Sequence, residues 1–449
     1  MIFEKLNIIK PIQKALKDEG YKTPTPIQEK AIPAIFEGRD LLGCAQTGTG
    51  KTAAFALPIL QNIYNEKDNN KGLKGPRTIS AVVLAPTREL AIQIGTSFKA
   101  YSCYMNIKNT VIFGGVPQVQ QVKALNDGVD IIVATPGRLL DLINQKHLDL
   151  SEVKYFVLDE ADRMMEMGMI EDVKKIIANL PKERQNMLFS ATMPVEILNL
   201  VRTILKSPLK IQVSDISSTT KTITQGIYYV DKINKVNLLV EVLKNNEIKN
   251  AIVFVRTKQG ADKITLELKK WAVDARAIHG DKSQRDRERT LNAFKDGRTR
   301  VLVATDVAAR GIDIDELSHV INFDFPEVPE TYVHRIGRTG RAGSKGTAYS
   351  FCDVAEIAML RDIEKIIGKR IPTMQDNPYP AENVTLPEKN KKNNSRSIYN
   401  REKSNTESYD KSALPKKLDK NGNPVRNNKK IWDYGTGNGK GKGQGKKKR

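Results

Sequence analysis

From residue 1 to about 205, short unbroken apolar runs alternate with stretches of helical periodicity. The runs fall at 41–42, 80–84, 110–113, 130–133, 155–158 and 186–189. A strand apolar on both sides is one buried on both faces, as in a parallel sheet covered by helices. The same rhythm restarts at 225, with runs at 226–230, 251–255, 275–278, 300–303, 319–322 and 347–351. The pattern predicts an α/β protein of two domains with parallel sheets, at 1–208 and 225–375. The Ser/Thr-rich stretch 214–222 marks a linker, taken as 209–224. Past Pro372 the periodicity fades, and 376–449 reads as a disordered basic tail ending in Gly/Lys repeats. In such sheets ligands sit beyond the carboxyl ends of the strands, so functional residues are expected there.

Charge sharpens the picture. The 449 residues carry 73 Lys/Arg against 52 Asp/Glu, a net +21. Residues 381–449 hold 19 Lys/Arg and 7 Asp/Glu, so +12 lies in the last 69 residues. A polyanion is the natural partner. An anionic membrane surface is the rival, but the tail lacks the apolar helical face that a surface-lying helix needs. No stretch approaches the ~18 apolar residues of a membrane span, and the start has no signal-peptide pattern. Cys44, Cys103 and Cys352 form no C-x-x-C pair, which excludes a disulfide scaffold and a zinc knuckle. A reducing compartment fits, and the cytoplasm is expected.

Candidate chemistry begins at Ala45-Gln46-Thr47-Gly48-Thr49-Gly50-Lys51-Thr52, between an apolar run and a helical pattern. Strand, Gly-rich loop, Lys-Thr and helix is the context of a P-loop. The glycines let backbone N–H groups surround phosphate oxygens, and the helix N-terminus adds its positive end. Lys51 can reach the β/γ-phosphates of ATP, and Thr52 can ligate Mg²⁺. Ala45 stands where the simplest pattern has Gly; the plain alternative is a glycine turn. The run 155–158 ends in Asp159-Glu160-Ala161-Asp162. An Asp there can hold Mg²⁺, and a Glu beside it can take a proton from attacking water. Alone, such acids read as a solvated loop or a helix start.

Asp159-Glu160-Ala161-Asp162 spells the signature of the DEAD-box RNA helicases, and the chain resembles that family from residue 3 to about 351. Gly20-Tyr21-Lys22-Thr23-Pro24-Thr25-Pro26-Ile27-Gln28, with Phe3 seventeen positions before Gly20, resembles the Q motif. Gln28 can pair with the adenine edge and Phe3 can pack on its face, although Phe3 alone reads as core. Ser190-Ala191-Thr192 resembles the motif that couples nucleotide state to RNA grip, by way of Asp162. Three first-domain motifs imply RNA contacts: Pro86-Thr87-Arg88-Glu89-Leu90, Gly114-Gly115, and Thr135-Pro136-Gly137-Arg138. They offer small residues, N–H groups and Arg, which suit a sugar-phosphate backbone; singly they read as loop caps.

The second domain completes the resemblance. Within 305–313 and 334–341 it assigns Gly311 and Asp313 to the nucleotide and Arg338 and Arg341 to arginine fingers, with His334 near the cleft. Spaced i, i+3, the two arginines would share one face of a helix. Arg256, Thr257, Gly280, Gln284, Arg287 and Thr305 map to the RNA face. The resemblance implies two tandem RecA-like domains and RNA-stimulated ATP hydrolysis coupled to local, non-processive unwinding. It leaves ribosome-precursor and RNA-decay complexes open as partners, and oligomeric state unassigned. The opening, the Gly43-Cys44 step and the tail look most like the bacterial RhlE-type subgroup. An ATP-gated RNA clamp and a DNA helicase of the same superfamily are the rivals. His147, His279 and His319, and the methionines at 164, 165, 167 and 169, read as structural.

Overall fold

The apolar runs fold as strands of two all-parallel sheets in a computed structural model describing residues 2–45, 48–69, 77–212, 223–309, 317–340 and 346–382. The first sheet contains β1 (Leu41–Cys44), β2 (Ala81–Leu84), β3 (Asn109–Ile112), β4 (Ile131–Ala134), β5 (Tyr155–Leu158), β6 (Gln185–Ser190) and β7 (Leu209–Gln212). Their order is β3-β4-β2-β5-β6-β1-β7. The second contains β8 (Ile223–Tyr229), β9 (Ala251–Phe254), β10 (Ala275–Ile278), β11 (Val301–Ala304), β12 (His319–Asn322) and β13 (Gly346–Cys352). Their order is β10-β11-β9-β12-β13-β8.

Each central strand feeds two cores. In β2, Ala81 and Val83 join the cluster around Phe55, Phe98 and Phe189. Val82 and Leu84 join the one around Leu139, Phe156 and Ile176. In β11, Val301 and Val303 face Leu238 and Phe351, and Leu302 and Ala304 face Phe325 and Tyr332. Burying one such side chain stabilises the fold by ~1.5–3 kcal/mol. Unbroken apolar runs are therefore what this sheet environment requires.

The boundaries differ from the sequence pattern in two places. Residues 209–212, inside the stretch taken as linker, form the edge strand β7 beside β1. Only Ile211 of β7 is buried, so no apolar run announces it. Residues 376–382, assigned to the tail by composition, run along β8. Ala381 N and Asn377 Nδ2 both donate to Tyr229 O, at 3.1 and 2.7 Å. The polar stretch 213–222 and the tail from 383 lie outside the described residues.

Candidate active site

Strand order gathers the motifs. The loops after β3, β4 and β2 carry Gly114-Gly115, Thr135–Arg138 and Pro86–Arg88 side by side. The loops after β5, β6 and β1 carry the acids, Ser190–Thr192 and the P-loop. In the second sheet, neighbouring β10, β11 and β9 lead to Gly280, Thr305 and Arg256-Thr257. Each sheet thus lines up its proposed backbone-binding loops along consecutive strand ends.

Lys51 opens the helix Lys51–Asn69 and is buried. Its Nζ donates to Ala45 O at 3.1 Å and lies 3.6 Å from Asp159 Oδ1. Gly48 and Gly50 have φ of +85° and +90°, a region closed to most L-residues. A Cβ at Gly50 would strike the side chains of Gln28 and Thr25. Gln28 locks this corner: its Nε2 donates to Gly50 O at 3.0 Å, and Thr25 N donates to its Oε1 at 2.9 Å. Gln28 therefore joins the Q motif to the P-loop through its own amide. Phe3 is buried edge-on against the half-exposed Tyr21. Its ring joins the first core together with Leu6 and Ile27.

Asp159 and Glu160 are both buried and their acidities are pushed apart. Burial raises Asp159, Lys51 only partly opposes it, and the Glu160 carboxylate adds to the rise. Burial also raises Glu160. Arg163, Lys51, Arg338 and His334 outweigh that and hold Glu160 at about 2. Arg163 Nε lies 3.4 Å from its Oε2. Glu160 has φ +54° and ψ +52°, so an L-residue makes the left-handed step from β5 into the helix Ala161–Glu166. Such a backbone persists only where its surroundings fix it, and it marks functional sites. Sequence reasoning singled out the acids but not Arg163, because charge at one step past a motif gives no signal of direction.

Asp162 binds the coupling motif as expected. Its Oδ2 accepts from Ala191 N (3.1 Å), Thr192 N (2.8 Å) and Thr192 Oγ1 (2.9 Å). Asp162 N donates to Ser190 Oγ, which donates to Thr192 O at 2.8 Å. The P-loop joins the same network, since Ala45 N donates to Ser190 O at 3.2 Å.

The second domain supplies cations. The helix Pro329–Ile336 ends before Arg338, which sits buried in the following turn. The expectation that Arg338 and Arg341 share a helical face is therefore corrected: Gly337 caps the helix first. Arg341 lies outside the described residues, as do Gln46, Thr47, Gly311 and Asp313. Arg335 turns inward. Its Nε and Nη2 grip Asp306 at 2.6 and 2.7 Å, and Nη1 donates to Asp324 O at 2.6 Å.

His334 stands beside Arg163, Arg335 and Arg338. Burial and Arg163 push its imidazole from 6.5 to about 3, Arg338 adding to the fall and Asp162 and Glu160 opposing it. It is neutral in the fold, so the unfolded chain binds the extra proton once pH falls below 6.5. Its contribution to stability is present above 6.5 and is lost progressively towards pH 3. His334→Gln should therefore lose less unfolding free energy than wild type between pH 7 and 5, by about 2 kcal/mol. Equal losses in the two proteins would contradict this assignment.

The backbone face is internally braced. Thr87 and Thr257 cap their helices, accepting from Leu90 N (3.3 Å) and Gly260 N (3.0 Å). Thr135 is the N-cap residue of Pro136–Asn144, and Thr305 is buried. Arg88 packs its guanidinium on Gly115, which has φ +77°. Arg138 donates to Val116 O at 3.2 and 3.3 Å. Gly280 lies against Lys258, and Gln284 Nε2 donates to Glu288 at 3.1 Å. Arg287 is buried, with Nη2 2.9 Å from Glu89 Oε1 of the first domain. The pair joins the two sheets at this face. Glu89→Ala and Arg287→Ala should be strongly non-additive in kcat/KM for nucleotide hydrolysis, with a coupling of about 1–3 kcal/mol. Additive effects would remove the pair from the machinery.

Residues 25–200 match the DEAD/DEAH box helicase family and 234–343 the helicase conserved C-terminal domain. The chain is 42% identical over 373 residues to the ATP-dependent RNA helicase CshA of Listeria monocytogenes, covering 83% of this chain and 70% of that one. The chain belongs to the DEAD-box helicase family. It is 44% identical over 374 residues to the ATP-dependent RNA helicase DeaD of Escherichia coli K12, covering 83% of this chain. The match spans only 58% of DeaD's length. Among solved structures, S. cerevisiae Dbp5 bound to RNA and ADP BeF3 is similar with a TM-score of 0.74 at 31% identity, over 83% of this chain and 95% of that one. Among the described residues of this family member, no helix is long and apolar enough to cross a membrane.

Proposed function

We propose that this chain is an ATP-dependent RNA helicase: an RNA-stimulated ATPase that locally unwinds or remodels RNA duplexes and RNA–protein complexes. The observation that carries this reading is Arg338, from the second domain, lining one pocket with Arg163 and lowering the pKa of Glu160 in the first. Two halves of a phosphoryl-transfer site meet there. The names of the relatives and the RNA-bound Dbp5 support it.

The residues fit the nucleotide and its metal. Two left-handed glycines leave room for phosphates against the backbone. Asp159 is a buried carboxylate of raised pKa, the kind a divalent cation ionises. No cluster of three His, Cys, Asp or Glu exists among the described residues. Mg²⁺ would be held by Asp159 and the Thr52 hydroxyl, with phosphates completing the shell. Bound magnesium neutralises phosphate charge. Lys51 balances the β/γ-phosphates, Glu160 accepts the proton of the attacking water, and Arg338 stabilises the charge that develops. Gln46, Thr47, Gly311, Asp313 and Arg341 are assigned to the same site by resemblance.

RNA is taken by its backbone, through Pro86, Thr87, Arg88, Gly114, Gly115, Thr135, Gly137, Arg138, Arg256, Thr257, Gly280, Gln284 and Thr305. The +12 tail adds affinity without sequence choice. The protein is assigned to the cytoplasm. The RhlE-type subgroup rests on the sequence alone.

The test is ATP-dependent release of a strand from a short duplex. Release from RNA but not from matched DNA is expected. Equal release from DNA would assign a broader helicase, and RNA-stimulated hydrolysis without release would assign an ATP-gated clamp.

A further inference from the structure

Arg256, at the carboxyl end of β9, is exposed but anchored on one side. Its Nη2 donates to Glu356 Oε1 at 3.2 Å and to Phe325 O at 3.3 Å. Its backbone N donates to Asp324 Oδ2 at 2.9 Å. Nε and Nη1 have no partner among the described residues. Behind it lies Lys235, only 1% exposed. Lys235 Nζ donates to Glu356 Oε2 at 2.6 Å and Phe323 O at 3.0 Å, with Asp353 Oδ2 at 3.5 Å. Glu356 is completed by Phe325 N (3.0 Å) and Asp353 N (3.3 Å). One lysine and one glutamate thus tie together four chain segments at the carboxyl edge of the second sheet: the helix Lys235–Leu243 and the ends of β9, β12 and β13.

A buried ion pair is a poor route to stability, since apolar side chains of the same volume serve as well or better. What this network does supply is a fixed direction. An arginine held in one rotamer has already lost the side-chain entropy that an unanchored one would lose on binding. Its remaining donors, Nε and Nη1, stay open for a charge-assisted bond to an oxyanion.

We propose that Lys235 and Glu356 are positioning residues that hold Arg256 half-open for one phosphate of the bound RNA strand. This rests on the assignment of this face to RNA, and the test separates the two. The full chain is titrated with a fluorescent single-stranded oligouridylate and a non-hydrolysable ATP analogue over a range of KCl. If wild type does not bind, the RNA assignment itself fails. Arg256→Ala should weaken binding about tenfold and flatten the plot of log affinity against log salt by about 0.7. Glu356→Gln should reproduce most of both changes, and the double variant should bind no worse than Arg256→Ala alone. Lys235→Met, which keeps the stem and volume, should move both quantities the same way; it carries the test if Glu356→Gln fails to melt cooperatively. Full additivity with Arg256→Ala, unchanged binding, or tighter binding in the Glu356 variant would each overturn the proposal. The last would show that Glu356 competes with phosphate.

Discussion

Glu160→Gln is expected to lower RNA-stimulated ATP hydrolysis by about three orders of magnitude while leaving ATP and RNA binding in place. The substitution keeps the volume of a buried side chain at a left-handed backbone position, so the loop between β5 and the helix Ala161–Glu166 is not disturbed. It removes the capacity to accept a proton together with the charge that pairs with Arg163. Glu160 is held at about 2 in the free protein, so it is ionised throughout the working range. The pH profile of kcat/KM, which reports the free enzyme, should carry no limb from Glu160 between about 5 and 8. Nucleotide binding and single-turnover hydrolysis measured on the same preparation check both halves. Residual hydrolysis near the wild-type rate would remove Glu160 from the proton transfer.

Arg338→Ala and Arg335→Ala should separate cleanly although the residues are three apart. Arg338 acts on the charge of Glu160, and in the proposed role it stabilises transferring phosphate charge; its loss should then reduce hydrolysis by about 10³ or more. Arg338→Lys should not restore activity, because an ammonium lacks the planar fork. ATP binding and the melting temperature should change little. Arg335 is locked to Asp306, Asn322 and Asp324 and lies over the Phe254 ring. Its loss leaves Asp306 without its bidentate partner, and the fold should lose about 3–5 kcal/mol. Thermal melting beside ATP hydrolysis distinguishes the two. Equal destabilisation by both variants would mean that Arg338 is structural.

The strands were legible because both faces of each sheet are covered, which forces unbroken apolar runs. β7 was not, because an edge strand with one buried residue has no such run. The P-loop and acids were legible as local motifs whose chemistry needs fixed spacing. What local spacing cannot carry is direction. Arg335 has no role in the sequence reading, while the resemblance assigns Arg338 to an arginine finger and Arg287 to the RNA face. The fold aims one at Asp306, one at Glu160 and one at Glu89 across the domains.

The central claim is that one site, built from both domains, hydrolyses ATP in response to RNA. Steady-state ATP hydrolysis, with no nucleic acid, with single-stranded RNA and with matched DNA, tests it most directly. Strong stimulation by RNA alone, abolished in both Glu160→Gln and Arg338→Ala, is the predicted result. Stimulation that survives Arg338→Ala would contradict a site shared between the two domains.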